Sequence, residues 1–270
     1  MTQDRTRLEI DTTVPHSARI WDYWLGGKDH YEADKRVGRQ IAEAYPEIVE
    51  TARAQRAFLC RGVRWLAGEA GIRQFLDVGT GLPTVDNTHE IAQRVAPDSR
   101  IVYVDHDPLV LAHARALLTS TGEGVTDYVD ADLREPDAIL AAATSTLDFD
   151  RPVALLLLGI TAHITDDDTA YAITDHLLAA LAPGSYLMLC DGTEVFNPEG
   201  RRELVRQWNS AGDNPRVNRS PEQLRRFFAG LELVEPGLVP ITQWRPEAMP
   251  FGEPDVIDNF GAIGRKPDPA

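Results

Sequence analysis

The stretch of this chain best suited to chemistry runs Phe75-Leu76-Asp77-Val78-Gly79-Thr80-Gly81-Leu82-Pro83-Thr84. A short, largely apolar run ends in two glycines one residue apart and gives way to helix-period apolar positions through Ile91 and Val95, so a strand passes here into a helix. Glycines at 79 and 81 let the backbone turn tightly and come close to a ligand with no Cβ in the way. Asp105 closes the next apolar run, 24 positions after Gly81. A carboxylate at that point accepts hydrogen bonds from ribose hydroxyls. Asp132 follows a third such run in Val-Asp-Ala-Asp-Leu, placed to receive an adenine amino group. Three positioned features weigh against the competing reading, a structural strand–turn–helix with incidental acids.

The same residues discriminate between adenosine ligands. A dinucleotide loop needs G-x-G-x-x-G, and here Gly81 is followed by Leu82, Pro83 and Thr84, with no third glycine. Asp77 stands just before the loop, where it repels a pyrophosphate and suits an α-amino group. Charge distribution points the same way. Net charge is −15, and residues 75–200 carry 5 Lys/Arg against 21 Asp/Glu, whereas 1–74 carry 12 against 11 and 201–270 carry 10 against 10. An acidic central region repels phosphate backbones, which argues against a nucleic-acid substrate, and the pairs Arg201-Arg202 and Arg225-Arg226 read as solvated helix faces. S-adenosylmethionine, with an amino group, a sulfonium cation and no phosphate, fits better than NAD.

Other candidates lie outside the loop. Trp21, Tyr23 and Trp24 either wall a substrate pocket, with Gly26-Gly27 as the hinge of a lid, or anchor a helical extension onto the sheet. His163 follows a fourth apolar run. A neutral imidazole there is a candidate base for an acceptor hydroxyl or amine, the alternative being packing beside the next helix. Asp191, Thr193 and Glu194 follow a fifth run on the same rim, while Asp166, Asp167 and Asp168 read as helix N-terminal acids. His89 reads as structural. Cys60 and Cys190 each lie inside an apolar segment and read as small buried hydrophobes. No Cys/His cluster or HExxH occurs, so no metal is expected.

These residues need a frame, and the periodicity supplies one. Hydrophobic residues at 43% and charged residues at 26% are those of a globular chain. The pattern is helical from His16 to Gly71, broken at Gly26-Gly27, after an arm at 1–15. Strands then alternate with helices: 75–78, 101–104, 125–129, 153–158 and 186–189, with helices from Pro108 to Leu118 and from Asp166 to Leu181 among them. That alternation means βαβ units and a parallel sheet, and the apolar run Val153–Leu158 suits a central strand covered on both faces. Ser220-Pro221-Glu222 opens a helix to Phe228, and runs at 231–234, 239–244 and 260–263 end the sheet in a hairpin. The polar N-terminus and the lack of any ~18-residue apolar stretch predict a cytoplasmic protein without a membrane span. Oligomeric state is not fixed by the sequence.

DVGTGLP, YVDHDPLVLAHAR and DYVDADLREP resemble the cofactor loop, ribose segment and adenine segment of Rossmann-type S-adenosylmethionine-dependent methyltransferases. VPHSARIWDYWLGGKDHYEADK, GLPTVDNTHEIAQ and the ending GAIGRKP narrow the resemblance to the actinobacterial S-adenosyl methyltransferase family, long filed as a domain of unknown function. The resemblance covers nearly the whole chain. It implies an α/β, Rossmann-like methyltransferase fold: a mostly parallel seven-stranded sheet with a C-terminal antiparallel hairpin and an N-terminal helical extension. It further implies that Asp77, Gly79 and Gly81 hold the methionine end, that Asp105 binds the ribose, that His106 lies against the adenine, and that Asp132 with Leu133 reads its edge. His30 stands where the family pattern leads one to expect asparagine, so Tyr23, Trp24, Gly27 and His30 join Asp191 and Glu194 as substrate or lid candidates. The expected organisation is an arm and helical extension over residues 1–72 and a cofactor domain over 73–270. The expected function is methyl transfer to a small-molecule acceptor; the alternatives are a non-catalytic S-adenosylmethionine or S-adenosylhomocysteine sensor and an NAD-dependent oxidoreductase.

Overall fold

A computed structural model of the chain describes residues 11–84, 86–117, 120, 122–211, 214–247 and 255–269. Residues 1–10 of the expected N-terminal arm and Leu118 of the expected helix lie outside them. Three helices come first: α1 (Ser17–Trp24), α2 (Glu32–Ala44) and α3 (Ile48–Gly68). The expected break between α1 and α2 is present, with Gly26 at φ +78°. A second break, not foreseen, falls at Pro46. Proline disfavours helical backbone in the residue before it, and Tyr45 is accordingly non-helical at φ −140°, ψ 81°.

The βα alternation follows: β1 (Gln74–Val78), α4 (Thr88–Val95), β2 (Arg100–Asp105), α5 (Pro108–Leu117), β3 (Val125–Asp130), α6 (Pro136–Ala143), β4 (Ala154–Leu158), α7 (Asp167–Ala179) and β5 (Tyr186–Gly192). After it come α8 (Pro198–Ala211), α9 (Pro221–Arg226), β6 (Glu232–Leu233), β7 (Val239–Pro240) and β8 (Asn259–Arg265). Strand order is β3-β2-β1-β4-β5-β8-β6, with β7 also on β8. The first five strands are parallel, and β8 runs antiparallel to β5, β6 and β7.

The fold class is the expected one, with eight strands among the described residues rather than seven because the last edge is cut in two. Glu232 of β6 and Val239 of β7 both pair with β8, opposite Arg265 and Gly261. The strand expected over 239–244 stops at Pro240, and Ile241–Gln243 forms a 3-10 turn. Arg61 of α3 donates to the carbonyls of Ile241 (2.6 Å) and Trp244 (2.9 Å), drawing this segment away from strand pairing.

Strand alternation divides the core. Phe75, Ile101, Ala154, Leu156, Met188 and Ile263 face α3 and α4, together with Phe58, Leu59, Val63 and Leu66. Leu76, Val102, Leu155, Leu157, Leu187 and Leu189 face α6, α7 and α9. A third cluster joins α1, α2 and α8 through Trp24, Val37, Ile41, Leu204 and Trp208. The chain leaves β1 toward β2 on one side and reaches β4 on the other. In open α/β sheets a reversal of this kind opens a crevice beyond the strands' carboxyl ends.

Candidate functional site

A cavity of about 1090 Å³, including its open mouth, occupies that crevice. It runs from Asp77 in β1 and Gly79 and Gly81 just beyond it, past Asp105 at the end of β2, His106, and Leu133 after β3, to Gly159, Ile160 and His163 after β4. Helix α1 closes it with Ala18, Trp21 and Asp22, and α3 contributes Gln55 and Arg56.

The glycine loop is built as its sequence requires. Gly79 (φ +76°) and Gly81 (φ +65°) both occupy the left-handed region that favours glycine. The Gly79 amide donates to the Val104 carbonyl (2.8 Å), and a Cβ on Gly79 would fall 2.5 Å from Ile160. At Gly81 a Cβ would meet nothing nearer than Ala18 at 4.0 Å, so the cavity lies open in front of it.

Asp105 joins this loop to β2. Its Oδ2 accepts the Gly81 amide (2.9 Å), and its Oδ1 accepts the amides of His106 (2.8 Å) and Asp107 (3.0 Å). Three backbone donors fix a buried carboxylate at the cavity wall. Alternation along β1 puts Asp77 on the same sheet face as Phe75, beneath α3 and α4. Its Oδ2 accepts the Thr88 hydroxyl (2.6 Å). Burial pushes the Asp77 carboxyl up to about 6, against the opposing pull of that hydrogen bond and of the Arg56 charge.

His163 lies in a 3-10 turn, Thr161–His163, with its Nδ1 3.2 Å from the Pro215 carbonyl. A carbonyl can only accept, so Nδ1 carries the proton and Nε2 keeps its lone pair. Burial, and then the neighbouring Arg216 charge, push this imidazole down to about 4, so it is neutral at pH 7. It packs on Trp208 with ring centroids 5.8 Å apart. The segment carrying Pro215 is pinned to the strand ends by Val217 N–H to the Ala162 carbonyl (3.0 Å) and Arg219 N–H to the Gly192 carbonyl (3.1 Å).

Several residues singled out from the sequence lie elsewhere. Trp24 is buried between helices and donates to the Gly38 carbonyl (2.9 Å), so it anchors α1 while Trp21 lines the cavity. Tyr23 packs on His30 (5.3 Å between centroids) and over Gly38, not on the cavity. Gly27 exists for packing, since a Cβ there would sit 1.9 Å from Asp22 Oδ1. His30 is also one step removed, its Nδ1 2.8 Å from Asp22 Oδ2. Asp191 is consumed by structure: it accepts the Thr161 hydroxyl (2.7 Å) and the Gly192 amide (2.9 Å), with the buried Arg216 guanidinium 4.0 Å away. Glu194 is taken by Arg202 (2.8 Å) and Asn218 (3.2 Å). Asp132 turns from the cavity to Arg134, accepting its amide (2.8 Å) and its guanidinium (3.0 Å), while its neighbours Ala131 and Leu133 line the wall.

Sequence reasoning overlooked His16, Ala18 and Asp22 of the first helical segment, Gln55 and Arg56 in mid-helix, and Asn214. His16 Nδ1 stands 2.8 Å from Asp107 Oδ2, which brings the start of α1 against the loop after β2. Burial alone would raise Asp107, but contacts with His16, the Leu109 amide and Arg19 outweigh it and hold the carboxyl below its usual value. The presence of His16 within VPHSARIWDYW was the one available signal for this wall.

Taken together, the cavity presents three carboxylates (Asp77, Asp105 and Asp22), with Arg56 as the single arginine or lysine among the described lining residues. That donor set suits a ligand with positive centres and hydroxyl donors, and lacks the cations a pyrophosphate needs.

The family model for "S-adenosyl methyltransferase" matches residues 3–267. A crystal structure of a DUF574 family protein from Streptomyces avermitilis MA-4680 is similar at 46% identity and TM-score 0.91, over 96% of this chain and 100% of that one. A protein from Thermobifida fusca YX, provisionally assigned as a methyltransferase, is similar at 40% identity and TM-score 0.88, over 96% and 97% of the two chains. No curated protein of assigned function matches the sequence. The chain belongs to the S-adenosyl methyltransferase family, and S-adenosylmethionine is the cofactor of that family.

Proposed function

We propose that this family member transfers a methyl group from S-adenosylmethionine to a small organic acceptor bound beneath the N-terminal helices. The observation that carries the reading is the Asp105 carboxylate, buried at the carboxyl end of β2 and held to Gly81 of the glycine loop. When bound, S-adenosylmethionine supplies an electrophilic methyl group on a sulfonium.

In this reading the residues of the chain bind, orient and exclude water. Asp105 receives the ribose hydroxyls, Asp77 faces the α-amino group, and Gly79 and Gly81 give the methionine chain close access to backbone. His106 lies along the adenine, with Leu133 behind it, and Asp132 reaches the adenine edge only by releasing Arg134. His163 is neutral and offers Nε2, so it accepts a hydrogen bond from an acceptor O–H or N–H and orients the lone pair. A group depressed to about 4 is a weak base at pH 7, so His163 acts chiefly by orienting the acceptor. Alignment and desolvation supply most of the acceleration in such a transfer. Helices α1 and α2 form the lid and acceptor side, and α3 packs between them and the cofactor domain that begins at β1.

Calorimetric titration with S-adenosylhomocysteine, with NADH as control, tests the reading. Micromolar binding of the first alone, lost in Asp105→Ala, is the expected result. Binding of NADH without S-adenosylhomocysteine would overturn it. Catalysis is then tested with an acceptor screen that follows S-adenosylhomocysteine release; tight cofactor binding with no turnover on any small acceptor favours a sensor.

A further inference from the structure

Beside the main cavity, at the glycine loop, lies a smaller recess of about 300 Å³. Arg56, Asp77, Thr80, Gly81 and Leu82 border both spaces, so a carboxylate and a guanidinium stand at the wall between them, close enough for the Arg56 charge to act on Asp77. Asp77 comes from β1 and Arg56 from the middle of α3, which covers that strand's face. A backbone device sets the guanidinium. Arg56 Nη2 donates to the Asp86 carbonyl (2.8 Å), and Asp86 is a non-glycine residue at φ +59°. The loop around it is closed by Asn87, whose side chain accepts the Thr84 amide (3.0 Å) and donates to the Thr84 carbonyl (2.7 Å). Arg94 holds the Asp86 carboxylate from the other side (2.9 Å).

Resting on the cofactor reading above, we infer that Arg56 and Asp77 form a zwitterion-reading pair, Arg56 binding the α-carboxylate of S-adenosylmethionine and Asp77 its α-amino group. Among the described residues that line the cavity, Asp22, Asp77 and Asp105 repel a carboxylate, and Arg56 is the lone arginine or lysine. A guanidinium presents its donors in a planar fork that matches a carboxylate, and a carboxylate alone at this end would accept the amine but reject its neighbour. Arg56 therefore selects the intact amino-acid tail over tail-less or decarboxylated adenosyl compounds, a discrimination that neither the glycine loop nor Asp105 provides.

The test compares S-adenosylmethionine with its decarboxylated analogue, which keeps the sulfonium and the amine, by calorimetry on the full chain. The wild type is expected to prefer S-adenosylmethionine by about 10- to 100-fold, the scale of one charged hydrogen-bonding partner. Arg56→Met is expected to erase that preference by weakening S-adenosylmethionine alone, leaving analogue binding within about 3-fold. A wild type indifferent to the carboxylate overturns the inference without any variant, as does an Arg56→Met protein that loses both ligands equally. Failure of the wild type to bind either ligand overturns the cofactor reading itself, and is thereby distinguishable.

Discussion

The rim after β1 and β2 and the rim after β4 and β5 belong to one sheet edge, and both carry acidic residues, yet they spend them differently. After β2, Asp105 is fixed by backbone amides alone and stays at the cavity wall. At the end of β5, Asp191 accepts the Thr161 hydroxyl and the Gly192 amide beside the buried Arg216, Glu194 is taken by Arg202 and Asn218, and Arg201 and Arg219 are buried nearby. Arg219 alone donates to the carbonyls of Thr161 (2.9 Å) and Ile164 (2.6 Å) and to Asp167 (2.9 Å). Backbone donors leave a carboxylate's charge uncompensated and available to a ligand; buried guanidinium groups use it to hold the fold. Position at a strand end is therefore not enough to mark a binding acid, and the partner of the acid decides.

The largest expected effect is at Asp105. Asp105→Ala is expected to weaken S-adenosylhomocysteine by about 10²- to 10⁴-fold, since two ribose hydroxyls lose a charged acceptor. Asp191→Ala should do the reverse, lowering unfolding free energy by about 3 kcal/mol in urea melts while S-adenosylhomocysteine affinity stays within about 3-fold. Equal binding losses in the two variants would erase the contrast between the rims.

Acid titration sharpens it next. His163 is depressed to about 4 in the folded chain, below its unfolded value of about 6.5, so the unfolded chain binds more protons between those limits. Its contribution is complete above pH 6.5 and is lost as pH falls through 4, up to about 3 kcal/mol. His163→Gln should flatten that acid limb in denaturant melts at pH 4 to 7. Asp77 behaves oppositely. Its folded value of about 6 lies above the unfolded one, so its contribution is present at low pH and lost as pH rises to 6. Asp77→Asn should stabilise the ligand-free protein at pH 7.5 by about 1–2 kcal/mol, and should remove the rise in S-adenosylmethionine affinity expected between pH 5 and 7. The smallest effect is at the α1 wall, where His16→Ala should cost about 1 kcal/mol of stability and raise the S-adenosylhomocysteine dissociation constant a few-fold.

How far the sequence reached varies with how local each signal is. Gly79, Gly81, Asp77 and Asp105 were legible because a strand–turn–helix places its own residues at the cavity. Ser220-Pro221 and Asp166 were legible as helix starts for the same reason, and both are N-caps, accepting from Gln223 and Thr169. Trp21 and Trp24 were not separable, because residues three apart lie about 60° from each other on one helix face and nothing local says which of the two meets the cavity. Packing of α1 on α2 and α8 decided it, burying Trp24 against Trp208 and leaving Trp21 on the cavity.

The sequence by itself determined the βα alternation, the acidic and glycine-rich turn, and the carboxylate at the end of the second strand, all encoded within a few turns of chain. Only the tertiary structure decided that β1 lies between β2 and β4, and that Arg56, from a helix before the loop, stands beside Asp77. It also decided that Asp132, Asp191 and Glu194 are turned to arginines. Those outcomes depend on which elements become neighbours and how each helix is rotated about its axis. Summed burial across the whole core sets both, and no short stretch of residues contains that information.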